Sequence, residues 1–170
     1  MAAPSLEFLC ACTASALLEH YGITRPPVSI WEILTSPPPG LGRDLSLTEL
    51  LPFGEALWLR SPSGQGAVFV NPGLSEPQKR YALARAMFLG LCSSTGGRAA
   101  GFPPVPNEAL SAQQDYFARR LLMPAWLLPP DWRTASPDVL AEMFMVPRHV
   151  AQARQEESSG RGPATTVRPN

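Results

Sequence analysis

Side chains able to do chemistry are few in this chain. It has two histidines, His20 and His149, and three cysteines, Cys10, Cys12 and Cys92. The stretch RYALARAMFLGLC, residues 80–92, has the framing of a helix that in zinc hydrolases carries two histidines four residues apart, with a glutamate between them. Such catalysis needs three N, S or O ligands and an open position for water. Neither histidine here has a histidine partner at helical spacing. Within the stretch, Arg85 keeps its proton and cannot ligate, while Ala86 and Leu89 offer no lone pair. The helix is expected; a metal or other cofactor on it is not. Cys10 and Cys12 point to different sides of a helix, so with His20 they make a poor metal cluster and are expected as two buried thiols. Cys92 has no recognisable base and is expected in the core.

The elements that hold these residues are legible from caps, breakers and periodicity. Ser5 can cap a helix running to about Tyr21, with Gly22 as its stop. TRPPV reads as a rigid connector, and Ser29 can cap the short helix IWEIL. SPPPGLGRD reads as a loop and SLTELL as one or two helical turns. EALWLRS and GAVFVN, separated by SPSGQ, read as a β-hairpin. Ser75 with Gln78 predicts a capped helix from about Glu76 to Cys92. SSTGGRAAGFPPVP reads as a loop, followed by a second long helix from about Asn107 to Leu122. MPAWLLPPDW is broken by proline. SPDVLAEMF and RHVAQARQ are short helices separated by the turn MVP. From Glu156 onward the Ser, Gly, Arg, Pro and Thr content predicts a disordered tail.

Composition bounds the function classes. The chain has 170 residues, 45% of them hydrophobic, enough to bury a real core. Its formal net charge is zero, so no global basic excess points to nucleic acid or an acidic membrane. Three thiols fit a reducing compartment better than a disulfide framework. The apolar N-terminal run LEFLCACTASALL carries Glu7 and no preceding basic residue, so it is expected as an amphipathic helix in a cytoplasmic protein with no membrane span.

Four segments, in order, resemble a known family. ALLEHYGITRPPVSIWEIL, GAVFVNPGLSEPQKRYALA, DYFARRLLMP and LAEMFMVPRHVAQAR are similar to the opening helices, the strand-turn-helix, the Phe-Ala box and the C-terminal end of ImmA/IrrE-type proteins, over roughly residues 14 to 155. These are small zincin-like metallopeptidases that act on transcriptional repressors. The resemblance implies an α+β fold: a zincin-like core with a small sheet of about three strands, two long helices and a helix-turn-helix-like C-terminal module. It implies a peptidase-like domain over 1–124, the helical module over 125–155 and the tail over 156–170. It also locates a departure. The family's His-Glu-x-x-His falls on Arg85, Ala86 and Leu89, and its third ligand, a glutamate before Phe-Ala, falls near Ser111 and Gln113.

The expected protein is therefore an inactive pseudo-peptidase working by protein binding, with a repressor-like regulator as partner in transcriptional, stress or phage-related control. Arg85 would stand near the vacated metal position. A buried unpaired charge is costly, so it either pairs with Asp115, with Glu108 behind, or points to solvent from a collapsed cleft. Phe88 and Leu89 would fill the old cleft or, with Gln113, line a peptide groove. The alternative from another class is a DNA-associated regulator reading bases with Arg148, His149, Gln152 and Arg154. Against it, Asp138, Glu142, Glu156 and Glu157 cancel the basic charge that phosphate binding needs. Trp31, Trp58, Trp126 and Trp132 are expected as packing residues rather than a stacking platform.

Overall fold

The computed structural model describes residues 5–41, 43, 45–50, 54–102 and 110–157. Among them the order is α1 (Leu6–His20), α2 (Ile30–Thr35), β1 (Ser46–Thr48), β2 (Ala56–Arg60), β3 (Gly66–Val70), α3 (Glu76–Ser93), α4 (Thr95–Ala99), α5 (Leu110–Leu122), a 3-10 turn (Ala125–Leu127), α6 (Pro137–Phe144) and α7 (Arg148–Glu157). The architecture is mixed α+β. Glu108, the start of a helix at Asn107, and residues 158–170 of the expected tail lie outside the described residues.

Local signals account for most boundaries. Ser5 Oγ accepts from the Phe8 N–H at 3.2 Å and opens α1; Gly22, at φ 60°, takes the left-handed conformation that stops it. At the start of α3 the Gln78 side-chain oxygen accepts from the Ser75 N–H at 3.0 Å. Ser136 Oγ receives the Asp138 N–H ahead of Pro137, and α6 ends at Met145 in the left-handed region, φ 52°.

The sheet has the order β1-β3-β2. The expected hairpin forms, with Ala56 opposite Val70 and Arg60 opposite Gly66. SLTELL corrects the sequence reading: its residues Ser46–Thr48 are not helical but a strand, parallel to β3 with Leu47 opposite Val68. That pairing partner lies some twenty residues downstream, where no local pattern reports it. A second correction is α4. TGGRA was expected as loop, yet Ser94 Oγ accepts from the Gly97 N–H at 2.7 Å and supplies the cap that its glycines need. A third is the tail, since α7 runs on through Glu156 and Glu157.

α3 is buried on nearly every side from Arg80 to Cys92, between the sheet and α5. Its close approach to the sheet is made at Gly90. A Cβ there would sit 2.6 Å from Leu45 Cδ2 and 2.9 Å from Trp58 Nε1, and Leu45 has no exposure to yield into. Gly90→Ala is therefore expected to lower stability by about 1–3 kcal/mol despite alanine's better helix propensity. Urea unfolding followed by circular dichroism checks this; a stabilised variant would mean the helix stands further off the sheet.

The core is continuous from α1 to α7, with Leu140, Phe144, Val150 and Ala151 joining Leu18, Phe88 and Phe117. Arg80, only 3% exposed, fastens the C-terminal helices to it. Its Nε donates to Met145 O at 3.0 Å and its Nη2 to Val28 O at 2.6 Å, and burial pushes its pKa down. Of the thiols, Cys10 and Cys92 are buried, and desolvation raises each pKa to about 12; Cys12, expected buried, is exposed. Trp31, Trp58 and Trp132 pack on the core, whereas Trp126 is exposed. Among the described residues no helix is long and apolar enough to cross a membrane.

Candidate functional site

Tyr81, Arg85 and Leu89 recur every four residues on α3, so they share the face turned toward the N-terminal half of α5. Arg85 is the hub of that junction. Its Nε lies 2.7 Å from Asp115 Oδ1 of α5, a close ionic contact whose angle misses hydrogen-bond alignment. Its Nη1 donates to Glu55 Oε2, just before β2, at 3.3 Å, and its Nη2 to Ser111 Oγ at 3.2 Å. Gln114 Nε2 donates to Arg85 O at 3.3 Å. The expected Arg85–Asp115 pair is formed, and Glu55 and Ser111 are partners that the sequence did not suggest.

Tyr81 completes the cluster. Its hydroxyl donates to Asp115 Oδ1 at 2.9 Å, and the Arg85 guanidinium lies 5.9 Å from the ring centroid. Burial, reinforced by the Asp115 carboxylate, raises the Tyr81 pKa far above the usual phenol value, so it stays a donor. The His149 ring meets the Tyr81 ring edge-on at 5.7 Å. Three helices thus meet at one phenol.

The metal implied by the family resemblance does not fit here. The side chains at 85, 86 and 89 are a permanent cation, a methyl and an isobutyl group. Among the described residues no three His, Cys, Asp or Glu side chains come together as a metal site requires. Ser111 Oγ accepts from a guanidinium that cannot take its proton, so this pair is no nucleophile and base. What the cluster can do is fix a positive charge, with Nη hydrogens to spare, between two helices.

The other sequence-predicted residues divide. Of the two places expected for Phe88, the groove-lining one is corrected and the filling one is found: it has no exposure and stands 5.7 Å from Phe117 and 6.1 Å from Phe102, centroid to centroid. Ala86 is buried as well, and Leu89 is half-buried. Gln113 faces away from Arg85 into a groove between α1, α5 and α7. Arg154, expected as DNA-facing, is corrected to buried: it is 2% exposed, donating to Met123 O at 3.1 Å and Glu157 Oε2 at 3.2 Å. Arg148 is exposed but tied to Asp138 at 2.9 Å, and Gln152 donates to Glu156. No basic stripe therefore runs along the described face of α7.

The strength of the hub is set by its exposure. Arg85, Asp115 and Glu55 side chains are 25%, 32% and 60% exposed, so the pair is a screened surface interaction rather than a buried one. A double-mutant cycle with Arg85→Ala and Asp115→Ala is expected to return a coupling of about 0.5–1 kcal/mol that shrinks at high salt. Coupling indistinguishable from zero at low salt would remove the pair from the account. Comparison with known proteins returns no family model and no curated protein that matches this chain.

Proposed function

We propose that the chain is a pseudo-peptidase: a zincin-like core that has given up metal chemistry and works by binding protein, with α6 and α7 as a helix-turn-helix-like appendage. Its setting is the cytoplasm, and its partner is a repressor-like regulator in transcriptional, stress or phage-related control. The observation that carries the reading is the replacement at the helix face. Where the resembled peptidases have two ligands and a base, this chain has Arg85, Ala86 and Leu89, and the charge of Arg85 is held by Asp115, Glu55 and Ser111. A frame that survives with its chemistry removed is suited to recognition, because binding a peptide and hydrolysing it are separable.

The test is capture of partners from native lysate on the immobilised chain, beside its Arg85→Glu variant. The expected result is one intact repressor-like protein retained by the natural chain and lost from the variant, with no cleavage fragments. Retention of DNA alone, or release of the partner as fragments, overturns the proposal.

A further inference from the structure

Three of the four tryptophans have a polar or cationic partner within the chain. Trp31 Nε1 donates to Glu76 Oε1 at 2.7 Å. The Arg60 guanidinium lies 5.3 Å from the Trp58 ring centroid, and Trp132 carries Arg133 at 5.3 Å and Arg154 at 5.5 Å. Trp126 is 53% exposed, and among the described residues neither its ring nor its N–H has such a partner. Its backbone is held: it stands in the 3-10 turn between Pro124 and Pro129, with Leu127 and Leu128 packed on the core. The ring walls a groove of about 410 Å³ against the last turn of α1, with Leu18 and Ile23 in its apolar lining. Of the lining side chains only Glu19 is charged. Its carboxylate has no hydrogen bond or ion pair among the described residues. An acidic side chain in the last turn of a helix opposes the helix dipole, so Glu19 does nothing for the stability of α1. His20, beside it, packs edge-on against Tyr21 at 4.9 Å, and Arg25 does not line the groove.

We propose that this groove is the subsite for one arginine side chain of the protein partner. The inference rests on the protein-binding reading above and names the side chain by which the partner is held. The chemistry matches group by group. A guanidinium is attracted to the face of an indole, and its planar fork of donors suits a carboxylate. The negative end of the α1 dipole adds to the charge of Glu19. The methylene stem is apolar and covers Leu18 and Ile23 while the charged head stays within reach of water. Arginine on tryptophan is the arrangement that Trp58 and Trp132 already show inside the chain. Lysine is the poorer occupant, because its ammonium is a compact, strongly hydrated charge that does not stack on a ring. A neutral side chain leaves Glu19 unmet, and an acidic one is repelled by it.

The test titrates the full chain with the peptide acetyl-Gly-Arg-Gly-amide and follows amide and indole N–H cross-peaks. The expected result is a saturable shift at the Trp126 indole N–H and at the amides of Glu19, Gly22 and Ile23. The same peptide with citrulline, which keeps the shape of arginine and loses its charge, is expected to move none of them. Glu19→Gln is expected to weaken the binding about three-fold, and Trp126→Ala to abolish the shifts on α1. Both side chains are exposed, and unchanged cross-peaks elsewhere show that the variants keep the fold. Equal shifts with both peptides, or none with either, would overturn the subsite. Partner capture separates this inference from the reading beneath it. A regulator retained equally by the natural chain and by the Glu19→Gln, Trp126→Ala double variant would overturn the subsite and leave the protein-binding reading in place. No regulator captured, beside an arginine-specific shift lost in the variants, would support the arginine site and overturn the functional reading.

Discussion

Phe88→Ala is expected to lower the unfolding free energy by about 3–5 kcal/mol. The ring has no exposed surface and is bracketed by Phe102 and Phe117. Removing it leaves a cavity at the junction of α3 and α5, and also deletes two aromatic contacts, each worth about 0.5–1.5 kcal/mol beyond its area. The walls of this cavity are helices clamped from both sides, so collapse recovers little. In urea the midpoint is expected to fall with an unchanged m-value, the signature of lost stability without a change in exposed surface. A loss below about 1 kcal/mol would place Phe88 in an open cleft, and would restore the peptide-lining role that its position first suggested.

The second large effect is expected at Glu157. One carboxylate near the end of α7 serves three arginines: Arg119 Nε, Arg154 Nη1 at 3.2 Å and Arg120 Nη2 at 3.8 Å. An acidic side chain at a helix C-terminus opposes the helix dipole, so its placement is explained by these partners alone. Arg154 is the critical one. It is 2% exposed, and its pKa is already drawn down to about 10, by burial first and by Arg120 second. Glu157→Ala leaves that cation buried with the Met123 carbonyl and the Trp132 ring but no carboxylate, and is expected to cost about 3 kcal/mol. Replacing both members, Arg154→Met with Glu157→Gln, is expected to recover much of the loss, because the desolvation cost disappears with the charge. Thermal unfolding of the single and the double variant, beside the natural chain, decides this. A single variant within 0.5 kcal/mol of the natural chain would show that the last turn of α7 is not anchored.

The same residues show what a sequence reveals and what it withholds. Caps and breakers act within four residues, so α1, α3, α6 and the β2–β3 hairpin were legible from Ser5, Ser75, Ser136 and the SPSGQ turn. β1 was not, because three residues become a strand only through a distant parallel neighbour. The Arg85–Asp115 pair was legible as one of two outcomes, since a cation on an apolar helix either finds a carboxylate or reaches water, and the structure shows the pair. Glu55 was missed because it approaches from the sheet, and nothing in its neighbourhood marks it. Arg154, expected on a DNA-facing surface, and Phe88, for which a groove-lining place was one of two expectations, are both buried for one reason: the partners that decide an individual side chain's burial lie elsewhere in the chain. Arg154 goes inside because Met123 O and Glu157 await it. Phe88 leaves the surface because Phe102 and Phe117 close over it. Arg80, the most buried cation of α3, carried no sequence signal beyond its place in RYALA.

The proposed reading is that α3 corresponds to the metal-binding helix of the resembled peptidases, with no side chain at 85, 86 or 89 able to hold the metal. Its most direct test is the zinc content of the untagged protein, purified without chelator and then dialysed against micromolar zinc, measured by inductively coupled plasma mass spectrometry. The account predicts zinc far below one equivalent per chain, unchanged in an Arg85→Ala variant. Stoichiometric zinc retained by the natural chain, and lost when residues on the Arg85 face of α3 or the facing turn of α5 are replaced, would contradict it.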